Sequence, residues 1–493
     1  MSAVPANPAA VFGKAKYLVA ASAVEYAVQL LVPVFLVRTL THEEFASYRF
    51  MWLLAGTLTG SLLLGFPASL YYFLPREPRE RQFGYVAQTA AFCALLAVLI
   101  GALLLGVRAA WPGLDFLRLL PRPLPVFLAF LVLIGATGLF DFLPAARADV
   151  KGQAGLNLTN ALLRAGCTAT GAWFGSIESV CWALLAYAAA RFMLMGGYVA
   201  RSMPLAGGGF DALRFKGQFA YAVPFGVANA FWSLRTQAQQ WVGASILEPR
   251  QYALLSIAGT IAPIAMLVRQ AITASIVAPI NRLEAQRDVA GMVKINADAN
   301  VLDTSYTYPV LTFFFVTSGP LFALVYTPAY AEAALATKWI CVGMLALTVE
   351  LTTLTNALRL RRMVLQWETA MLALSVALSV AGGLAFGFVG VVLGSVVSRY
   401  ISTVYYVVAL SRRTGVPLRR IQHWASLGRN LLCSLASGAL GWLALGSVAD
   451  RPLAVQLAVS GGVFGVAYLA LALRLGVSLP GRQFFASLRR GRP

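Results

Sequence analysis

Charge is what this chain has least of. Only 12% of its 493 residues are Asp, Glu, Lys or Arg, against about a quarter in soluble domains, while 59% are hydrophobic. Mean hydropathy is +0.73. No soluble stretch exceeds about 20 residues, which leaves no room for a separate globular domain of about 50 residues or more. That weighs against a membrane-embedded glycosyltransferase or polymerase, which needs an extramembrane domain or long loop bearing acid/base or metal-binding groups. Paired carboxylates for glycosyl chemistry sit about 5–10 Å apart; Glu43-Glu44 is such a pair, but in a short turn, where it reads as a solvated connection. Histidine is nearly missing: His42 and His423 fall in two separate loops, so neither metal ligation nor a His-assisted nucleophile has its parts. The five cysteines all lie in apolar runs without a CxxC pair, as small buried side chains do. No catalytic residue, metal site or cofactor is expected. Lysine is scarce too, with 6 of the 39 basic residues, the rest being arginine. The net charge of +20 does not mark a nucleic-acid binder, because the bases sit mostly in short connections between apolar runs.

What is present is long apolar runs. The stretch 17–76 holds two of them, joined at Thr41-His42-Glu43-Glu44 and stopped at Arg76, each long enough for the roughly 30 Å hydrocarbon core that takes about 20 helical residues. The pattern returns about 207 residues later, with Glu44-Phe45-Ala46 over Gln251-Tyr252-Ala253 and Pro75 near Pro279 after a slip of about three residues. Internal repeats of this kind are common in secondary transporters. The chain therefore reads as an all-α polytopic membrane protein of about 14 helices: 16–38, 46–74, 84–106, 124–147, 156–174, 178–200, 217–240, 251–279, 298–318, 334–358, 366–386, 389–411, 426–448 and 453–475. Lys and Arg concentrate in the tails and even-numbered loops, which puts both termini in the cytoplasm. The expected divisions are a cytoplasmic tail at 1–15, an N-lobe at 16–200, an inter-lobe linker at 201–216, a C-lobe at 217–411, a final helix pair with its preceding loop at 412–475, and a basic cytoplasmic tail at 476–493.

Several ionisable residues fall inside these runs, where a charge costs about 2.5–3.5 kcal/mol at the bilayer centre, so they must face inward. Among them are Glu25, Asp141, Arg147, Arg164, Arg191, Arg235, Arg269, Asp303, Glu350, Glu368 and Arg399. Polar neighbours share their helical faces. Asn157, Asn160, Arg164, Thr168 and Gly171 form one stripe; Asn229, Ser233, Thr236 and Gln240 form another, with Arg235 and Gln239 one residue off it. For Arg164 and Arg235 two readings stand: a water-filled cavity, or a buried ion pair. Arg147 and Arg269 lie nearer helix ends and are as well placed to snorkel as to face a cavity. Guanidinium clasps phosphate with two parallel donors, so a cavity holding several suits an anionic, phosphorylated ligand. The candidate substrate-binding set is Arg164, Arg191, Arg235, Arg269, Arg147, Asn157, Asn160, Asn229 and Gln240. Glu25, costly to keep charged at mid-membrane depth, is a candidate to exchange a proton or hold Na⁺, alternatively a structural hydrogen-bond partner. Asp141, Asp303 and Glu350 are further ion-coupling candidates.

The segments RTLTHEEFASYRF, GFPASLYYFLPRE, YAVPFGVANAFWSL and LVYTPAYAEAA, set in this helix pattern, resemble the Wzx-type polysaccharide flippases of the multidrug/oligosaccharidyl-lipid/polysaccharide (MOP) exporter superfamily. The resemblance implies two pseudo-symmetric six-helix lobes in a V around a cationic cavity, plus a C-terminal helix pair. It also implies a bacterial inner-membrane protein, with no partner but membrane lipids, its substrate and a polysaccharide polymerase or export machinery, working as a monomer. That substrate is an undecaprenyl-pyrophosphate-linked oligosaccharide, moved by alternating access and coupled to H⁺ or Na⁺. Another branch of the superfamily, a lipid II flippase or a drug/cation antiporter, is the alternative. Two positions depart from the family: Gln237 to Gln240 hold no acid, and Tyr71-Tyr72 stand where many relatives have an arginine.

Overall fold

The computed structural model describes residues 24–25, 27–205 and 209–477, and over these it is helical with no strand. The tail at 1–15, part of the first expected helix, Gly207-Gly208 of the linker and residues 478–493 of the basic tail lie outside the described residues. In order, the helices are α1 (Ala27–Thr39), α2 (His42–Thr57), α3 (Phe66–Phe73), α4 (Arg79–Ala110), α5 (Leu124–Ala136), α6 (Leu143–Ala146), α7 (Val150–Trp173), α8 (Ile177–Ser202) and α9 (Ala212–Ile246). They continue as α10 (Pro249–Ala258), α11 (Ala262–Ala285), α12 (Val289–Val325), α13 (Ala333–Leu347), α14 (Thr352–Ala357), α15 (Arg361–Thr414), α16 (Leu418–Ile421), α17 (Trp424–Ser447) and α18 (Leu453–Arg474).

Seven helices among the described residues are long and apolar enough to cross a membrane alone, or nine if each of two bent pairs is one span. The count of about 14 is not confirmed among the described residues, for reasons visible in the chain. α5 has 13 residues, about 20 Å at 1.5 Å per residue. α7 and α9 are long enough, but they carry Arg164 with its amides, and Arg214, Lys216, Gln218 and Arg235, respectively. α15 fuses two expected spans; its Phe386 and Gly387 (φ 60°) leave the helical region, and the chain folds back with Gly382 against Gly390 so closely that a Cβ on Gly390 would lie 1.8 Å from the Gly382 carbonyl oxygen.

Helix starts follow their side chains. Thr41 and Glu44 form a capping box on α2, with the Glu44 amide donating to Thr41 Oγ1 at 3.3 Å and the Thr41 amide to the Glu44 carboxylate at 3.0 Å. The same carboxylate accepts the Ile177 amide at the start of α8 at 3.1 Å. Glu44 thus ties two helix N-termini together instead of standing in solvent. Asp149, Asp211 and Asp288 cap α7, α9 and α12.

The chain divides into compact units at 1–253 and 254–493. In the first, the second span is broken: α2 runs into a π-turn at Leu58–Leu62, Leu64 and Gly65 take positive φ (50° and 68°), and α3 restarts at Phe66-Pro67, bent by 43°. Its apolar centre gathers Leu70, Leu74, Val86, Leu139, Phe140, Leu143, Met195 and Val199. α9, assigned by the sequence to the second lobe, packs inside this unit on α2 and α3. In the second unit α12 is the axis, with α11, α13, α17 and α18 laid against it. Ile280, Met292, Val293, Leu351, Leu354 and Leu410 form one core there, and Cys433, Phe464, Tyr468 and Ala472 join α17 to α18.

Candidate functional site

In the first unit the four arginines of the expected site, Arg147, Arg164, Arg191 and Arg235, do not share one setting. Arg191, buried on α8, is fully engaged. Its Nε donates to Thr137 Oγ1 at 3.2 Å, its Nη2 reaches the Thr137 carbonyl and Asp141 Oδ2 at 3.4 Å each, its Nη1 reaches the Tyr187 hydroxyl at 3.5 Å, and the guanidinium carbon sits 4.5 Å from the Phe140 ring centre. All of these lie on α8 or in the break between α5 and α6, whose free carbonyls need donors. Arg191 is the internal counter-ion of a broken helix, and its donors do not line an open cavity. Arg147 is likewise occupied: it donates to Gln82 Oε1 at 2.9 Å and to the Ser202 carbonyl at 2.5 Å, holding the starts of α4 and α7 to the end of α8.

Arg164 differs. It is half-buried on α7 and forms no hydrogen bond or ion pair with any described residue. Its guanidinium lies 5.5 Å from the Trp52 ring on α2, and Tyr48 is within its electrostatic range. The polar stripe of α7 changes character along its length. Gly171 is pressed on α8, where a Cβ would come within 2.7 Å of Ala183, and Thr168 is buried. Asn160 accepts from the Tyr187 hydroxyl at 2.9 Å, and Asn157 accepts from Gln153 at 2.7 Å. One end of the stripe is helix packing; the other leaves a guanidinium and two half-buried amides.

On α9, Asn229 is exposed, while Arg235 and Gln240 are half-buried. The polar side of this helix is largely consumed in holding it to α2, α3 and α4. Gln218, with no exposed surface, accepts from Gln88 and donates to Ser69 and Thr89, all at 2.8 Å. Thr57 donates to Gln237 at 2.7 Å and accepts from Trp241 at 2.9 Å. Between these nodes Gly226 meets the break in the second span, where a Cβ would fall 1.9 Å from the Leu64 carbonyl oxygen. Glu25 is half-buried near α1 with Gln29 donating to it at 3.5 Å.

In the second unit Arg269, Asp303 and Glu350 come together. Arg269 on α11 donates to the Leu347 carbonyl, at the end of α13, and lies within electrostatic range of both carboxylates. Glu350 sits in the break between α13 and α14; Thr352 Oγ1 and the Thr353 amide (3.1 Å) donate to its Oε1, and Asn296 to its Oε2 at 3.5 Å. Asp303 accepts from Thr307 at 2.9 Å on Oδ1, while its Oδ2 is buried with no hydrogen-bond partner. Around them Asn300 donates to the Glu350 carbonyl (3.1 Å) and to Gln422 (3.2 Å), and Asn430 to Thr304 (3.0 Å). Arg269 is therefore an internal counter-ion, like Arg191. Asp141 and Glu350 also occupy like places: each is an acid in the break of a span, about 209 residues apart, facing an arginine from another helix. No group of three or more metal-ligating side chains occurs among the described residues.

Sequence reasoning did not single out Gln88, Gln218, Asn296, Asn300, Gln422 or Asn430. The spacing 296, 300, 303, 307 on α12 is a stripe that could have shown part of this, but the expected helix began at 298, which left Asn296 outside it.

No family model matches the chain, and no curated protein matches it. Solved structures do. An inward-facing multidrug resistance MATE family transporter of the MOP superfamily superposes with a TM-score of 0.60 at 12% identity, covering 80% of this chain and 96% of that one. A MOP superfamily transporter from Pyrococcus furiosus, described as having a binding pocket of reversed polarity, gives 0.54 at 12% over 82% and 94%. The Vibrio cholerae MATE transporter VcmN, in a mutant form, gives 0.53 at 13% over 83% and 98%. The chain thus shares the fold of these structures; that it is a multi-pass membrane protein rests on its own long apolar helices, seven of them among the described residues.

Proposed function

We propose that the chain is a transporter that flips an undecaprenyl-pyrophosphate-linked oligosaccharide from the cytoplasmic to the outer leaflet of the bacterial inner membrane, for exopolysaccharide or O-antigen synthesis. The observation that carries this is Arg164, a half-buried guanidinium that meets the Trp52 ring but has no hydrogen-bond or ion-pair partner among the described residues. A guanidinium kept so without a counter-ion is costly, and a pyrophosphate would supply the missing charge in a bidentate contact. Asn157 and Asn160, on the same face, can reach sugar hydroxyls or phosphate oxygens. Arg191 and Arg147 hold the surrounding helices.

Coupling to an ion gradient is assigned to Asp303, whose buried Oδ2 lacks a partner that a proton or a cation would provide. Replacing Asp303 with Asn should leave the protein folded and abolish the dependence of flipping on the proton or sodium gradient. An unchanged gradient response in that variant would move the coupling role elsewhere.

Export tests the substrate assignment. In a strain lacking the gene, Arg164→Ala should insert normally and lower polymer at the cell surface at least about tenfold, the worth of a charge-assisted contact, with Arg164→Lys intermediate. Full export by Arg164→Ala defeats the assignment. A second reading, a drug/cation antiporter, is favoured by Asp141. Its side chain is 59% exposed, and Tyr71, whose ring meets Phe142 at 5.8 Å, lies within its range, a carboxylate and aromatics suited to an organic cation. Drug resistance lost with Asp141→Asn, and untouched by Arg164→Ala, would select it.

A further inference from the structure

The second unit holds a cavity of about 600 Å³ between α11, α12 and the first turns of α17. It uses none of the residues assigned above. Its walls are of two kinds. Ile272, Ile276, Ile295 and Leu302 make an apolar side, and Asp298, His423, Ser426 and Arg429 make a polar one. The two permanently charged side chains there are not bonded to one another. Asp298 is taken up by His423, whose Nε2 lies 3.0 Å from Asp298 Oδ1. Arg429 forms no hydrogen bond or ion pair with any described residue, and its Nε is buried without an acceptor. α17 begins at Trp424 with no side-chain cap, so its amide-rich end adds positive potential beside the same polar wall. The segment leading into it carries Arg412, Arg413, Arg419 and Arg420, all exposed.

We infer that this cavity binds the phosphate headgroup of an anionic membrane phospholipid, with Arg429 as the phosphate ligand and the isoleucine wall against the first part of an acyl chain. The volume falls in the range of about 300–1,000 Å³ usual for small-ligand sites. A diester phosphate meets the guanidinium of the cavity that lacks a hydrogen-bond or ion-pair partner among the described residues. Arg429 and the uncapped start of α17 attract an anionic headgroup and repel a choline group, which sets anionic above zwitterionic headgroups. An apolar wall beside the charge favours a lipid over a soluble anion. The site is separate from the flipped substrate, and the proposal stands whether or not the flippase assignment does.

The full-length protein in nanodiscs of mixed phosphatidylcholine and phosphatidylglycerol, analysed by native mass spectrometry, provides the test. The wild type should retain one phosphatidylglycerol in preference to phosphatidylcholine. Arg429→Gln should weaken that retention about tenfold or more, the loss of one charge-assisted contact. Ile276→Trp, which fills the cavity and changes no charge, should do the same and decides the matter if Arg429→Gln does not fold. Arg420→Gln, in the exposed loop, should leave retention as in the wild type. Adding inorganic phosphate should not displace the lipid. Wild-type retention in both cavity variants overturns the proposal, as does an equal loss in Arg420→Gln, which would mean diffuse surface attraction. Displacement by inorganic phosphate also overturns it, identifying a soluble-anion site.

Discussion

Arg164 and Arg191 lie on packed neighbouring helices and look alike as residues, yet their chemistry differs because of what stands opposite. Arg191 meets the α5–α6 break, where Thr137 and Asp141 take its donors; Arg164 meets the Trp52 ring and no acid. Removing the two partners of the Arg191 pair should therefore have unequal effects. Asp141 is more than half exposed and keeps its water, so Asp141→Asn should shift stability by no more than about 1 kcal/mol. Arg191→Met strips donors from buried oxygens and should destabilise by about 1–3 kcal/mol. Thermal midpoints of the purified variants in detergent check this; equal midpoints would contradict it. The identity of such charges was legible in the sequence, as was the need for them to face inward, because a charge in a long apolar run has few alternatives. Which of them would find a partner was not, since Thr137 and Asp141 come from the α5–α6 break, about 50 residues away from Arg191.

Among the elements, the breaks carry the information. The second span bends at Leu64-Gly65 because Gly65 accepts a left-handed backbone and Pro67 opens the next helix, and α9 seats Gly226 against that bend. Gly226→Ala should be strongly disruptive, since its Cβ would overlap the backbone at Leu64 and the helices must part. Gly217→Ala on the same helix meets nothing within 4 Å and should be neutral or stabilising by up to about 1 kcal/mol. Monodispersity and thermal midpoint of the two variants, compared with the parent, distinguish these outcomes. The ends of apolar runs located most helices from sequence, and the turn near Phe386-Gly387 fell where two runs met. The lodging of α9 in the first unit was not legible: the stripe at Asn229, Ser233, Thr236 and Gln240 leaves out Gln218 and Gln237, which are spent on Gln88, Ser69, Thr89 and Thr57. Spacing gives the face of a helix and not its neighbour.

At the scale of the molecule, one device is made twice. Each unit breaks a span, leaves an acid in the gap and answers it with an arginine from elsewhere in the same unit: Asp141 with Arg191, and Glu350 with Arg269. With those pairs closed, Arg164 in the first unit and Asp303 Oδ2 in the second are left without a hydrogen-bond partner among the described residues, and it is to these that the proposed function gives the anionic headgroup and the coupling ion. Flipping of a fluorescent undecaprenyl-pyrophosphate oligosaccharide by the purified protein in proteoliposomes, measured beside uptake of an organic cation, tests this most directly. Wild-type protein should flip the lipid and ignore the cation, and Arg164→Gln should lower flipping at least about tenfold while remaining folded. Cation uptake without lipid flipping, or flipping that does not change in Arg164→Gln, would contradict it.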